Sequence, residues 1–380
     1  MKVLLASDYF PPHVGGGVEE VTFHMAEKLT ELGHQVVVLT LNTCSASAVE
    51  NLDGIRVYRA ALVELTNALG AQSAVSTELI NLMRNVCRKE QPNVLHANNL
   101  YFYTTLAACL NLDAVRLPLV TTLHIGSVSE LEGFVRYAAK LYELSVGRWI
   151  VGRSNRVVAV SEAVKRYAVE LGVEPCKISV VPNGVDTVKF HPSSAVRNGD
   201  GLVRVGFVGR LVANKGPQYL VEAASRIVHD FPNVRFQVAG RGPMLPMLQR
   251  RAQELGIKDV FRFFGTVPSM VEFMQSCDIM VRPSVTDGMP LTVLEAMACG
   301  LPTVASRVGG TPEILEESYS GYLVRPKDVD QLVLRISQLV ADARLRAEMG
   351  SRARQFVERY SDWSDIAKRM IPIYEIALSS

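Results

Sequence analysis

Two carboxylates, Asp287 and Glu295, stand with seven residues between them in the stretch SVTDGMPLTVLEAMACGLP, residues 284–302. Asp287 lies in a Gly- and Pro-bearing loop after an apolar, strand-like run at 276–283. Glu295 lies in a short helix expected from near Leu291 to Gly300. The first N–H groups of a helix have no partner within it, and the helix dipole adds positive character there. An apolar strand, a polar loop and a helix start therefore make an anion site. A carboxylate beside such a site accepts hydrogen bonds from hydroxyls. Sugar hydroxyls, a diphosphate and ribose hydroxyls follow one another in that order in a sugar nucleotide.

A diphosphate also calls for cations, because negative charge builds on it as a glycosidic bond breaks. The stretch VGRLVANKG (208–216) ends a strand-like run and opens a helix. It puts Arg210 and Lys215 at a strand end, one a planar fork and the other a point charge, and both suit phosphate oxygens. Nearer the start, PPHVGGG (11–17) follows the first strand-like run. Its glycines allow backbone N–H groups to approach a phosphate or a sugar. Gly15, Gly16 and Gly17 share that role without a resolved register, and the spacing is not a dinucleotide fingerprint. A strand end at TTLHIG (121–126) carries His124, and VLHANN (94–99) carries His96. His124 reads as a group that positions a hydroxyl; His96 reads as a core or cleft-lining residue. Asn98, Asn99 and the run Tyr101-Phe102-Tyr103 fit either an acceptor pocket or core packing.

These stretches resemble the retaining glycosyltransferases of family 4, which have the GT-B fold, and the resemblance spans nearly the whole chain. In that family an acidic residue, seven residues and a glutamate precede AMACGLP or a close variant. The first acid is usually Glu and here is Asp287, one methylene shorter. GRL…KG resembles the family's phosphate-binding element, with Asn214 where Glu is common before the lysine. PPHVGGGVEEVTFHMAEKLTELGHQVVVLT resembles its N-terminal signature, and VPNGVD (181–186) its interdomain signature. AGRGP (239–243) stands where AGDGP is common, with Arg241 for Asp, and FGTVP (264–268) borders the nucleobase in relatives. GGTPE (309–313) resembles a GGxPE element in which Glu313 is a supporting acid.

The resemblance implies roles. Glu295 would hold the ribose hydroxyls and Asp287 the sugar hydroxyls near the reacting carbon. Arg210, Lys215 and the N–H groups of Leu291, Thr292 and Val293 would stabilise the leaving diphosphate. Gly15, Gly16, Gly288, Met289, Pro290, Arg241 and the backbone at Val267 would complete the donor site, and His124 would serve the reaction centre. The acceptor would attack the face that the leaving group departs from, keeping the anomeric configuration. Asp328-Val329-Asp330 has the D-x-D pattern of metal-dependent transferases, but it opens a helix after Arg-Pro-Lys, so it reads as a helix cap. Arg210, Lys215 and a helix start can clamp a diphosphate in place of a metal, so no metal and no cofactor are expected.

Elements must hold these groups in place. Strands are expected at 3–7, 35–40, 55–60, 94–96, 118–124, 156–160 and 178–181, with helical patterns such as 19–32 and 77–89 between them. The pattern restarts after a polar linker at 193–202 with strands at 203–209, 234–239, 260–264, 279–281 and 303–305. Strand–helix alternation predicts parallel sheets covered on both faces. The expected architecture is α/β, with two Rossmann-like doubly wound domains facing a central cleft: an acceptor-binding domain at 1–192 and a nucleotide-sugar-binding domain at 203–360. A C-terminal helix within 361–380 crosses back to the first domain. Ligands bind outside strand C-terminal ends in such folds, and closure of the two halves would expel competing water.

The bulk properties narrow the partners. A net charge of +2 over 380 residues gives no case for nucleic acid. The six cysteines form no CxxC pair, so neither a disulfide framework nor a zinc site is expected, which fits a reducing cytosol. No signal-like start and no run of about 18 apolar residues is seen. The basic stretch 147–166 leaves peripheral contact with the inner face of a membrane open. The expected activity is transfer of a sugar from a nucleotide diphosphate donor to a hydroxyl of a glycan, a lipid or a small metabolite. A GT-B epimerase or phosphorylase, and a non-catalytic nucleotide-sugar-binding protein, are the alternatives.

Overall fold

A computed structural model describes residues 1–13, 16–64, 74–125, 133–193 and 200–380. The chain divides into two compact units, Met1–Asn183 with Trp363–Ser380, and Gly184–Asp362. Both are α/β with parallel sheets of Rossmann type.

In unit 1 the strands are β1 (Lys2–Ala6), β2 (Gln35–Leu41), β3 (Val49–Leu52), β4 (Ile55–Ala60), the two-residue ladder β5 (Val63–Glu64) with β6 (Ala74–Val75), β7 (Val94–Asn98), β8 (Leu119–Leu123), β9 (Arg156–Ala159) and β10 (Ile178–Val180). Eight of them form one sheet in the order β10-β9-β8-β7-β1-β2-β4-β3. All pairs are parallel except β3 with β4 at the edge. The helices are α1 (Val18–Glu31), α2 (Leu79–Glu90), α3 (Tyr103–Val115), α4 (Gly133–Tyr142), α5 (Arg148–Arg153) and α6 (Glu162–Glu170), with a π-helical turn at Glu143–Gly147 between α4 and α5. Helices on both faces let β1, β2 and β7 run as mostly buried, largely apolar stretches, as parallel strands do. The strand order reverses at β1, which has β7 on one side and β2 on the other. That places the crevice for a ligand at the C-terminal ends of β1, β7 and β8.

Unit 2 holds β11 (Val203–Val208), β12 (Val234–Ala239), β13 (Phe261–Gly265), β14 (Ile279–Arg282), β15 (Thr303–Ser306) and β16 (Gly321–Val324), in the order β13-β12-β11-β14-β15-β16. Its helices are α7 (Pro217–Asp230), α8 (Leu245–Glu254), α9 (Met270–Gln275), α10 (Leu291–Ala298), α11 (Thr311–Ile314), α12 (Val329–Ala341) and α13 (Ala343–Tyr360). Phe207, Phe236, Ile279 and Val281 from the sheet pack with Leu220, Ile227, Ile336 and Leu339 of the covering helices. Here the order reverses at β11, between β12 and β14.

Four strands go beyond the sequence expectation: the short pair β5 and β6, and β3 and β16. β3 reads VENL, half polar because it is an edge, and β16 is four residues of GYLV between polar stretches. The helical stretch 329–360 is two helices, because Asp342 leaves helical geometry and its Oδ1 accepts the N–H of Leu345 at 2.9 Å. Asp328 likewise caps α12, its Oδ1 accepting from Gln331 N at 2.9 Å. Asp330 pairs with Arg226.

The units divide at Asn183–Gly184, earlier than the expected linker, of which residues 194–199 lie outside the described residues. Residues 184–192 are held in unit 2 by Arg354, which donates to the carbonyls of Phe190 at 2.6 Å and Thr187 at 3.0 Å. The last helix, α14 (Trp363–Leu378), packs on α1 and lies against β7 and β8 of unit 1. Trp363 stacks on His24. Tyr374 and His96 share a 2.8 Å hydrogen bond through the ring Nδ1, and His96 Nε2 meets Thr122 Oγ1 at 2.7 Å. His96 is thus a buried tie between the sheet and α14. No helix among the described residues is long and apolar enough to cross a membrane.

Candidate active site

β14 is apolar through Val281 and then ends on Arg282. The guanidinium Nη1 donates to the Val208 carbonyl at the end of β11, at 2.8 Å. Nη2 and Nε reach Asp287 Oδ2 at 2.8 and 3.2 Å, and Ser284 Oγ donates to the same oxygen at 3.2 Å. On the other side Lys215 Nζ donates to Asp287 Oδ1 at 3.0 Å. None of the three charged side chains is more than 15% exposed. Burial pushes the Asp287 carboxyl up, but Lys215 and Arg282 outweigh it and hold it well below the usual carboxylate range. Burial pulls the Lys215 ammonium down; Asp287 opposes this, while Arg282 and Arg210 reinforce it. One carboxylate between two buried cations leaves a net positive charge in a place of low dielectric. Such a charge favours an anion strongly.

Nested loops fix this geometry. Lys215 ends a one-turn helix at Ala213–Lys215, and Gly216 follows at φ +75°. A Cβ on Gly216 would fall 1.9 Å from the Pro283 carbonyl oxygen, so only glycine lets these loops meet. Asn214 contributes its carbonyl, which accepts Val285 N at 2.9 Å; that bond does not depend on which side chain stands there. Gly309, at φ +52°, backs onto the Asp287 carbonyl, where a Cβ would come within 1.9 Å. The GGTPE element therefore supports the Asp287 loop from behind.

α10 begins directly after this loop, and no side chain caps its start. The Thr292 hydroxyl there is buried and has no hydrogen-bond partner among the described residues. Gly288, Met289 and Pro290 form the buried lead-in, and Leu291, Thr292 and Val293 the first turn. Glu295 is half-buried one turn beyond Leu291, on the same helix face. Arg210 and Arg241 are exposed, after β11 and β12, and Val267 is half-buried after β13. The loops after β11, β12 and β13 are tied together, Leu211 N to Arg241 O at 2.8 Å and Gly240 N to Gly265 O at 2.7 Å. All the unit 2 candidates thus lie at the C-terminal edge of one sheet.

Sequence reasoning misses Arg282. A cation closing an otherwise apolar strand, just before Pro-Ser and five residues before the acid, is the available signal. Arg282 also changes the surroundings of Asp287, whose two oxygens are already engaged by Lys215, Arg282 and Ser284.

In unit 1, His124 is buried at the end of β8, and its Nε2 lies 3.2 Å from Asn98 Oδ1. Burial pulls its pKa down to about 4, so the ring is neutral near pH 7 and Nε2 carries the proton that Asn98 accepts. Gly15 lies outside the described residues. The N–H of Gly16 donates to the Glu19 carboxylate at the start of α1, so it is already engaged by the chain itself. Asp8, after β1, accepts the N–H groups of Tyr103 at 2.9 Å and Thr104 at 2.8 Å and so holds the start of α3. Burial raises its pKa to about 6 against those bonds.

Comparison with known proteins adds to this geometry. The family described as "Glycosyl transferases group 1" matches residues 194–356, and "Glycosyltransferase Family 4" matches residues 15–189. A phosphatidylinositol N-acetylglucosaminyltransferase subunit of Arabidopsis thaliana is 29% identical over 384 residues, spanning 100% of this chain and 82% of that protein. Among solved structures, sucrose-phosphate synthase from Thermosynechococcus elongatus superposes with a TM-score of 0.84 at 21% identity, covering 98% of both chains. Anabaena HepE in complex with UDP-glucose gives 0.79 at 20% identity, again covering 98% of both. At such identities the structural likeness is one of fold. The two family matches together span nearly the whole chain, each on one of the two Rossmann-type units, and the chain belongs to the GT-B glycosyltransferases of group 1.

Proposed function

We propose that this glycosyltransferase moves a sugar from a nucleotide diphosphate donor to an acceptor hydroxyl with retention of the anomeric configuration and without a metal. The observation that carries the reading is the net positive cluster of Lys215, Arg282 and Asp287 beside the uncapped start of α10. A diphosphate set there would take hydrogen bonds from Lys215, from Arg210 and from the first N–H groups of α10. These groups supply the positive charge that a divalent ion would otherwise bring. Glu295 would accept from the ribose hydroxyls.

In the step itself, the bond between the anomeric carbon and the β-phosphate oxygen breaks, and its electron pair leaves with the diphosphate. The acceptor oxygen bonds to the same face of that carbon. The hydroxyl proton passes to the departing phosphate oxygen, whose basicity rises as the bond breaks. Asp287 acts first as the anchor that sets Lys215 and Arg282; its oxygens already take four donors, so a sugar hydroxyl would bind there by replacing one of them. His124, neutral with its one ring N–H given to Asn98, would orient a hydroxyl through its other ring nitrogen and does not act as an acid.

Calorimetric titration with UDP-, GDP- and ADP-glucose in EDTA, followed by turnover on an acceptor panel, tests this. UDP-glucose is the first choice because it occupies the related HepE fold. We expect one nucleotide to bind, and Arg210→Ala to weaken it. Absence of binding by all three, or binding that requires a divalent ion, would overturn the donor reading. Binding without turnover on any acceptor would favour a non-catalytic sugar-nucleotide-binding protein.

A further inference from the structure

The helical run from α4 through the π turn to α5 carries an outward stripe that no other element covers among the described residues. Its inner side is firmly held. Glu143 is fully buried and accepts from Tyr101 Oη at 2.7 Å and Tyr167 Oη at 2.5 Å. Tyr142 donates to the Leu100 carbonyl at 3.0 Å, and Ile150 and Val151 are in the core. Outside, Tyr137 is 75% and Leu141 70% exposed, and Leu144 and Trp149 are exposed as well. Arg136, Lys140 and Arg148 are exposed beside them, and Lys140 also reaches back to Glu143 at 3.2 Å.

The π turn sets this pattern. At about 100° per residue, an uninterrupted α-helix would carry Trp149 roughly 100° away from the line of Tyr137 and Leu141. A π turn absorbs about one extra residue. It returns Trp149 to the apolar line and Arg148 to the side of Arg136 and Lys140. The result is an apolar strip with a cationic rim. The only acid between Arg136 and Arg153 is Glu143, which is buried.

We propose that this stripe is a docking surface for an anionic lipid bilayer. A narrow row of four apolar side chains offers far less than the roughly 800 Å² per partner of a stable protein interface. Tyr and Trp beside Leu, with cations along one rim, suit the boundary between headgroups and acyl chains.

Co-sedimentation of the full chain with vesicles of phosphatidylcholine alone, or with phosphatidylglycerol added, tests the assignment at low and high salt. We expect binding to the anionic vesicles, weakened by salt, with a blue shift of tryptophan fluorescence. Two double variants, Tyr137→Ser with Leu141→Ser and Arg136→Glu with Lys140→Glu, should each lower partitioning at least tenfold. Their circular dichroism should match the wild type; a variant that fails this check is replaced by Trp149→Ser, with the same loss expected. Failure of the wild type to bind, or equal binding by well-folded variants, would overturn the proposal. So would a dimer in sedimentation equilibrium that the same substitutions abolish, because the stripe would then be a self-interface. Neither result bears on donor binding, which is measured separately.

Discussion

Asp287 is where one methylene and two cations decide the most. Asp287→Asn would leave Lys215 and Arg282 buried together without a counter-charge, at a cost of about 3 kcal/mol in unit 2. A diphosphate supplies the missing negative charge. UDP or pyrophosphate should therefore raise the melting temperature of Asp287→Asn more than that of the wild type. An equal or smaller shift would mean that the cations do not face the diphosphate. Arg282→Met tests the other side of the pair: it removes one of the two buried cations and the hold on Asp287, and should lower kcat/KM by roughly 10²-fold. At this scale the sequence singled out Lys215 and Asp287, which stand in recognisable strings, and the structure brings the two together. Arg282 was not legible, because its importance lies in reaching both Val208 and Asp287 at once. That juxtaposition exists only when β11 and β14 are neighbours.

At the scale of elements, the pairing of His96 with Tyr374 joins residues 278 positions apart. Tyr374→Phe removes the hydroxyl and leaves the buried His96 Nδ1 without a partner, so unit 1 should lose about 1–2 kcal/mol. Urea unfolding followed by tryptophan fluorescence measures this directly, because both tryptophans, Trp149 and Trp363, belong to unit 1. The strands with continuous Val, Leu and Ile runs were legible to within two residues at most ends, since burial on both faces leaves a plain apolar signal. The edge strand β3 was not, because an edge tolerates the polar residues of VENL. The last helix was legible in extent from its periodicity. The partner of Tyr374 was not, because nothing local in the sequence encodes a contact so distant along the chain.

For the molecule as a whole, acid sensitivity between pH 6 and 4.5 should concentrate in unit 1. Burial lowers His96 to about 3 and His124 to about 4, from an ordinary 6.5. Both contribute stability above pH 6.5 that is lost as pH falls towards those values. Asp8 runs the other way: raised from 3.8 to about 6, it contributes stability below pH 3.8 that is lost as pH rises through 6. Between pH 6 and 4.5 two histidines oppose one carboxyl, which leaves a net loss of about 1.4 kcal/mol per pH unit on acidification. His96→Gln should flatten that slope almost completely, whatever it does to absolute stability. An unchanged slope by tryptophan-detected urea unfolding at several pH values would remove His96 from the account.

Unit 2 is inserted between two pieces of unit 1. During synthesis, the first 183 residues leave the ribosome with a sheet whose His96 still lacks Tyr374, and α1 is bare where Trp363 will stack. The segment that covers them emerges only after all of unit 2. A chain cut short at the start of α14 would then carry a finished unit 2 and an unfinished unit 1. Quality control would meet it as an exposed apolar face on unit 1, so the first unit translated is the last to become native.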